Sequence, residues 1–417
     1  MDVTIALFIL VYIAMGVGHL PGFGVDRTGA AVVGAMLLIA FGEISPAGAW
    51  AAIDYRTIGL LFGLMIISSA FVVSGFYDWA ARKVGGLRVG PSILLAILVV
   101  VGGLLSAVLT NDVVVVAMTP VLTTITLARG LNPVPFLLGF CFAANVGSAA
   151  TLIGSPQNMV AAETLHLTFS GFMQVAAIPA LLGLPLVWLV LAICYRGRWE
   201  LADTARAATA DGAVAAAPVE IPFDRFETGK AALVTVAVIA AFVLTDWPHM
   251  LVALAGASVL LVNRQISSND MLRLVDGNLL LLLMGLFVVN AALASTGIPQ
   301  DILDGLRGVG LDLHEPISML VVMSVLSNVV GNNPAVMLVA PFLNGAEGAE
   351  ALGAAIALGT GFSSNAIVFG SLAGIIVVEQ ARLHGITIRF AEFARAGIPA
   401  SLLSLVLAVA WIVYLGS

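Results

Sequence analysis

Residues 104–122, LLSAVLTNDVVVVAMTPVL, recur in altered form as residues 325–343, VLSNVVGNNPAVMLVAPFL, with Ser106/Ser327, Asn111/Asn332 and Pro120/Pro341 in register. Working outward, DYRTIGLLFGLMIISSAFVVSGF (54–76) matches DGNLLLLLMGLFVVNAALASTGI (276–298) through Asp54/Asp276, Gly63/Gly285 and Gly75/Gly297. GFCFAANVGSAATLIG (139–154) matches GTGFSSNAIVFGSLAG (359–374) through Gly139/Gly359, Asn145/Asn365 and Gly154/Gly374. The offset moves only from 222 residues (Asp54 to Asp276) to 220 (Pro179 to Pro399). Apolar segments resemble one another by chance, but Gly, Asn and Pro held at a steady spacing do not, so the chain is an internal duplication.

Of the 417 residues 60% are hydrophobic and only 10% are charged. Ordinary soluble domains are about 45–50% apolar and about 25% charged. A water-soluble fold of this size could not hide so much apolar surface, which excludes a soluble enzyme, a disordered chain and a nucleic-acid binder. The expected class is an all-α polytopic membrane protein.

The apolar segments divide into an N-terminal repeat (1–195), a polar linker (196–230) and a C-terminal repeat (231–417). Each repeat holds a hairpin, at 91–128 and 316–346, and a helix broken in mid-membrane, at 134–166 and 352–384. Charge placement points to inversion. The first hairpin is flanked by Arg82, Lys83, Arg88 and Arg129, its counterpart by Asp301, Asp304, Asp312, Glu315, Glu347 and Glu350 with Arg307 the one base. Cytoplasmic loops collect Lys and Arg. Arg196, Arg198, Arg206, Arg225 and Lys230 put the linker in the cytoplasm. Arg264, Arg273, Arg382, Arg389 and Arg395 place their loops there too. The arrangement that follows is two inverted repeats of five crossings each, opposed re-entrant hairpins, and both termini outside, in a bacterial-type inner membrane.

Between Arg88 and Arg129 the one charge is Asp112. A carboxylate at the bilayer centre costs about 2.5–3.5 kcal/mol on insertion scales, so it needs water, a cation, a proton or donor groups nearby. Thr110, Asn111 and Ser106 cluster with it where the apolar run breaks, and Ser327, Asn328, Asn332 and Asn333 cluster in the other hairpin before Pro334. Asn and Asp also cap helices. Caps in the middle of long charge-free stretches further imply two helix N-termini aimed at one cavity. The broken helices offer Asn145, Ser148, Thr151, Ser155 and Asn158 on one side and Ser363, Ser364, Asn365 and Ser371 on the other. Unwound backbone at that depth is tolerated only around a cavity. The five histidines lie near span ends and read as interfacial, and Glu379 with Arg382 reads as a surface pair. No phosphate-binding loop or hydrolytic constellation is present, so no ATP engine is built in.

SAVLTNDVVVVAMTPVL and SNVVGNNPAVMLVAPF resemble the ion transporter superfamily, which holds arsenite efflux permeases, sodium/proton antiporters and divalent-anion/sodium symporters. Asn111-Asp112 before Thr119-Pro120, Asn332-Asn333-Pro334, SGFYDWAARKV (74–84) and FGSLAGII (369–376) are similar to arsenite-permease elements. The resemblance implies a scaffold, an elevator-type transport domain and a homodimer. The symporters carry Ser-Asn-Thr at both tips, where this chain has Thr110-Asn111-Asp112 and Gly331-Asn332-Asn333.

A divalent anion needs net positive potential, and neither pair of breaks contains Arg or Lys. Neutral arsenous acid offers hydroxyls that Asn, Ser, Thr and a carboxylate can match, whereas Cys141 and Cys194 cannot supply three thiolates. The expected function is efflux of a small inorganic solute, arsenite or antimonite, coupled to protons through Asp112. Alternatives are sodium- or proton-coupled transport of an inorganic anion or carboxylate, and sodium/proton antiport. No cofactor is expected beyond H+ or Na+ as the coupling ion. The expected partners are the lipid bilayer and the solute, with no nucleic acid. Whether a soluble ATPase subunit docks on the basic linker stays open.

Overall fold

The computed structural model describes residues 3–201, 221–308, 310–343 and 348–416. Most of the linker, Arg206 included, and Glu347 lie outside the described residues. The first half runs α1 (Val3–Val17), α2 (Arg27–Ala40), α3 (Pro46–Ala52), α4 (Tyr55–Val73), α5 (Phe76–Gly85), α6 (Pro91–Val108), α7 (Asn111–Ala128), α8 (Pro133–Ser148), α9 (Pro156–Leu165) and α10 (Phe169–Cys194). The second half follows the same order: α11 (Arg225–Leu244), α12 (His249–Leu261), α13 (Ser268–Leu272), α14 (Gly277–Ala294), α15 (Ile298–Gly308), α16 (Pro316–Val330), α17 (Asn332–Val339), α18 (Ala349–Ser363), α19 (Leu372–Leu383) and α20 (Phe390–Gly416). A short 3-10 turn interrupts each broken helix, at Leu152–Gly154 between α8 and α9 and at Val368–Gly370 between α18 and α19. Among the described residues there is no strand, only two isolated bridges.

Seven of the described helices are long and apolar enough to cross a bilayer, and the chain is a multi-pass membrane protein. Their starts follow local chemistry. Asp26 caps α2 by accepting from the Gly29 amide, Asp54 caps α4 and Asp276 caps α14, each carboxylate meeting the positive helix end. Proline at the first helical position opens α6, α8 and α16, where its missing N–H costs nothing.

The packing exchanges partners between the halves. α4 lies on α12, while its counterpart α14 lies on α2. α6 packs on α8 and α16 on α18, α19 crosses to α7, α17 crosses to α9, and α10 meets α20. Every residue of α8 is buried, so it is wrapped in protein. In α11 and α20 only 28% of the apolar window is buried, against 67% in α4. Those two leave most of their apolar surface uncovered by protein. α8 comes close to α6 where Gly147 lies on the Gly103 backbone, so a methyl group at 147 would collide with it.

Candidate functional site

Each hairpin turns where its polar cluster falls. In the first, Thr110 ends the extended link, and its N–H and hydroxyl both donate to Ser68 Oγ on α4, at 3.2 and 3.1 Å. In the second, Gly331 turns at φ 92°, a left-handed conformation that favours glycine. Neither α7 nor α17 has a side chain capping its first turn. Their leading N–H groups are therefore free for a ligand or water.

Both tips open into one cavity of about 180 Å3. Asn111 and Asp112 line it from the first hairpin, Gly331, Asn332, Asn333 and Pro334 from the second, and Ser371 from the second broken helix. Asn111 Oδ1 and Asn333 Oδ1 are buried acceptors without a partner. Asn332 is tied down, its Nδ2 donating to Ser364 Oγ at 2.9 Å and its Oδ1 accepting from the same hydroxyl at 3.1 Å.

The cavity is also lined by polar residues that the sequence did not single out for the site, Arg27, Asp276 and Gln157 with Thr28 and Asn278. Arg27 begins α2, and its Nε is buried with no hydrogen-bond partner. The cavity thus contains a guanidinium, which revises the expectation that no cation reaches the breaks. It also contains a second acid, so Asp112 is not alone. Asp276 was visible as a landmark of the repeat. Nothing local marks Arg27, because α2 and α14 meet the hairpin tips only in three dimensions.

The remaining candidates sit behind the cavity and hold the broken helices together. Asn145 Nδ2 donates to Asn365 Oδ1 and to Ser371 Oγ, both at 2.9 Å, so repeat-equivalent asparagines bond directly. Asn365 Nδ2 donates to the Phe142 carbonyl at 3.2 Å. Asn158 Nδ2 reaches the carbonyls of Ser148 and Thr151, each at 2.9 Å, and Thr151 Oγ1 donates to the Ala107 carbonyl at 2.5 Å. The Ser148 hydroxyl donates to the Asn145 carbonyl, and Ser363 and Ser327 share a bond at 2.9 Å. Ser155 is buried with its hydroxyl unpartnered. Of the break residues expected at the site only Ser371 lines the cavity, beside Gln157, Phe369 and Leu372, and Thr110 borders a separate pocket beside Ser68.

A second opening lies among the ends of α9 and α11 and the starts of α4, α10 and α12. A vestibule of about 730 Å3 is lined by Tyr55, Arg56, Glu163, His166, Asp246 and His249 among others. A neighbouring space of about 520 Å3 shares Tyr55, Arg56, Glu163 and His166 and ends at Asn290 and Met337. The partition between this space and the central cavity is α17, whose start lines one and whose end lines the other. Asn290 holds it by donating from Nδ2 to the Met337 carbonyl at 2.7 Å, and the Tyr12 hydroxyl donates to Asn290 Oδ1 at 3.0 Å.

The sequence profile of the citrate transporter family (CitMHS) matches residues 8–361. An uncharacterized transporter of Mycobacterium tuberculosis, Rv2684, is 30% identical over 98% of this chain and 97% of its own length. The silicon efflux transporter LSI3 of Oryza sativa is 34% identical over 48% of this chain and 40% of its own length. The crystal structure of the YdaH transporter of Alcanivorax borkumensis resembles this fold with a TM-score of 0.55 over 99% of this chain and 97% of that chain, at 15% identity.

Proposed function

The chain belongs to the citrate transporter family of the ion transporter superfamily, and on that premise we propose that it exports a small polyhydroxylated inorganic acid, arsenous acid above all, in exchange for protons. The observation that carries this reading is the donor–acceptor balance of the central cavity. Two carboxylates, Asp112 and Asp276, and two unpartnered amide oxygens, on Asn111 and Asn333, meet one guanidinium, on Arg27, and the uncapped N–H groups at the starts of α7 and α17. That mixed set suits a neutral solute whose hydroxyls both donate and accept, and two carboxylates against one guanidinium disfavour a free multivalent anion. The cavity of about 180 Å3 accommodates a three-hydroxyl solute with companion waters. Asp112 is the group that exchanges the proton, since it stands at a helix start on the moving hairpin and can carry one charge or none.

Arg27 favours a second reading, a carboxylate carried together with a cation that satisfies the two acids. The two readings separate on purified protein in vesicles. Arsenite flux driven by a pH difference, with no flux of citrate or succinate, supports the first. Citrate flux that requires Na+ or a divalent cation supports the second and rejects the first. Arg27→Gln should leave arsenite flux within a few fold in the first case and abolish carboxylate flux in the second. Asp112→Asn should eliminate pH-driven flux while the melting temperature stays near that of the parent, and retained pH-driven flux would remove Asp112 from the coupling role.

The alternation of access follows from an inverted pair of repeats. Ser68 and Asn290 are repeat equivalents, at the 222-residue offset of Asp54/Asp276. Ser68 meets the first tip at Thr110, but Asn290 meets Met337. The first-repeat equivalent of Met337 is Val116, six residues beyond Thr110. At 1.5 Å per helical residue the hairpin unit is displaced by about 9 Å from the mirror arrangement. With Arg-rich loops in the cytoplasm, the displacement is inward and the central cavity opens to the cytoplasm. The opposite state exchanges the two registers, so that Ser68 meets Val116 and Asn290 meets the second tip. That is a rigid-body, elevator-type step of one unit past a scaffold of α1, α2, α4, α11, α12 and α14.

A further inference from the structure

We propose that Glu163 and His249 form the outer proton-exchange site of the transport cycle, an inference that rests on the proton-coupled reading above. His249 begins α12 as Arg27 begins α2, at the 222-residue offset of the repeat. The duplication therefore places a basic residue at both mouths, but of different kinds. A guanidinium keeps its charge at any pH that proteins experience, while an imidazole gains and loses a proton in the physiological range. The inner mouth carries a fixed charge and the outer mouth a titratable one.

The surroundings suit proton uptake. His249 Nδ1 lies 3.6 Å from Glu163 Oε1, with side chains 19% and 13% exposed. The pair is shielded enough for the carboxylate to matter to the imidazolium, yet it faces the 730 Å3 vestibule and its water. From α4 come Tyr55 and Arg56, from α9 Glu163 and His166, and from the loop before α12 Asp246. α11 presents Phe242, edge-on to the imidazole with centroids 4.9 Å apart, and no charge. Glu163 and Asp246 bring negative charge to this wall and Arg56 positive charge. Glu163 also lines the adjoining space that ends at Asn290 and Met337, so the pair stands where the external solution approaches the partition in front of Asp112. The step is a proton transfer only: an external hydronium ion gives its proton to a ring nitrogen of His249 and leaves as water, Glu163 balances the charge, and discharge toward the partition restores the neutral ring.

The test uses the full chain in proteoliposomes with arsenite as the probe. Two fluxes are measured, one driven by a pH difference and one a counterflow of labelled arsenite at equal pH. His249→Gln, His249→Arg and Glu163→Gln should each lose the pH-driven flux and keep counterflow, while Glu163→Asp restores the pH-driven flux. Wild-type pH dependence in both His249→Gln and Glu163→Gln would overturn the proposal and leave proton coupling standing. Absence of pH-driven flux in the parent would overturn proton coupling itself, and this site with it. Equal loss of both fluxes in Glu163→Gln and Glu163→Asp would mark the pair as structural and likewise reject the proposal.

Discussion

Asn111 and Asn145 are the same residue type in equally apolar surroundings, yet they do different work. Asn145 has its amide hydrogens committed to Asn365 and Ser371. Asn111 presents a buried carbonyl oxygen with no partner to the cavity. Removing one partner of a buried hydrogen bond costs about 1–3 kcal/mol. Asn145→Ala should therefore lower the melting temperature markedly with little change in solute affinity. Asn111→Ala should do the reverse, and thermal unfolding with and without arsenite checks both. Sequence alone could not separate the two, because an Asn in a charge-free stretch announces a broken helix without showing which way its amide turns. His249 makes the same point: its place at a helix start reads as interfacial until Glu163, 86 residues earlier in the chain, is seen beside it.

At the scale of elements, α17 matters most. It is 8 residues long where its counterpart α7 has 18, and its start lines the central cavity while its end lines the outer space. Its attachment to α14 and α1 is a few hydrogen bonds through Asn290 and Tyr12, each worth about 0.5–1.5 kcal/mol net. Tyr12→Phe and Asn290→Ala should weaken the inward arrangement and make the second tip more accessible from outside. The expected readout is faster labelling of Asn333→Cys by an impermeant thiol reagent, in a background where Cys141 and Cys194 are alanine. Both hairpins and both breaks were legible in the sequence, since polar residues interrupting an apolar run have few other meanings at that depth. The rest of the cavity's lining was not legible. Arg27 and Asp276 look like ordinary residues at helix starts, and only the exchange of α2 and α14 between the halves brings them to the tips.

At the scale of the whole molecule, the difference between Ser68–Thr110 and Asn290–Met337 predicts the unseen state. A Ser68→Cys/Thr110→Cys pair should cross-link in the resting protein and stop transport. Ser68→Cys/Val116→Cys should cross-link only as the protein turns over. Cross-linking of the second pair at rest, at the rate of the first, would contradict the 9 Å step derived above. Sidedness has its own check: Ala47→Cys should react with an impermeant reagent in whole cells and Gln265→Cys should not, and the opposite pattern would reverse every statement of direction.

The exchange by which α4 seats on α12 and α14 on α2 carries a consequence for the history of the chain. Neither half can complete its own interior, because each lends a long helix to the other. An ancestral gene of half the length would have needed two copies of its product, and on the inverted topology proposed above those copies would have entered the bilayer in opposite orientations. The ribosome still meets that requirement in order, since the first half must wait, incompletely packed, until the second has been made.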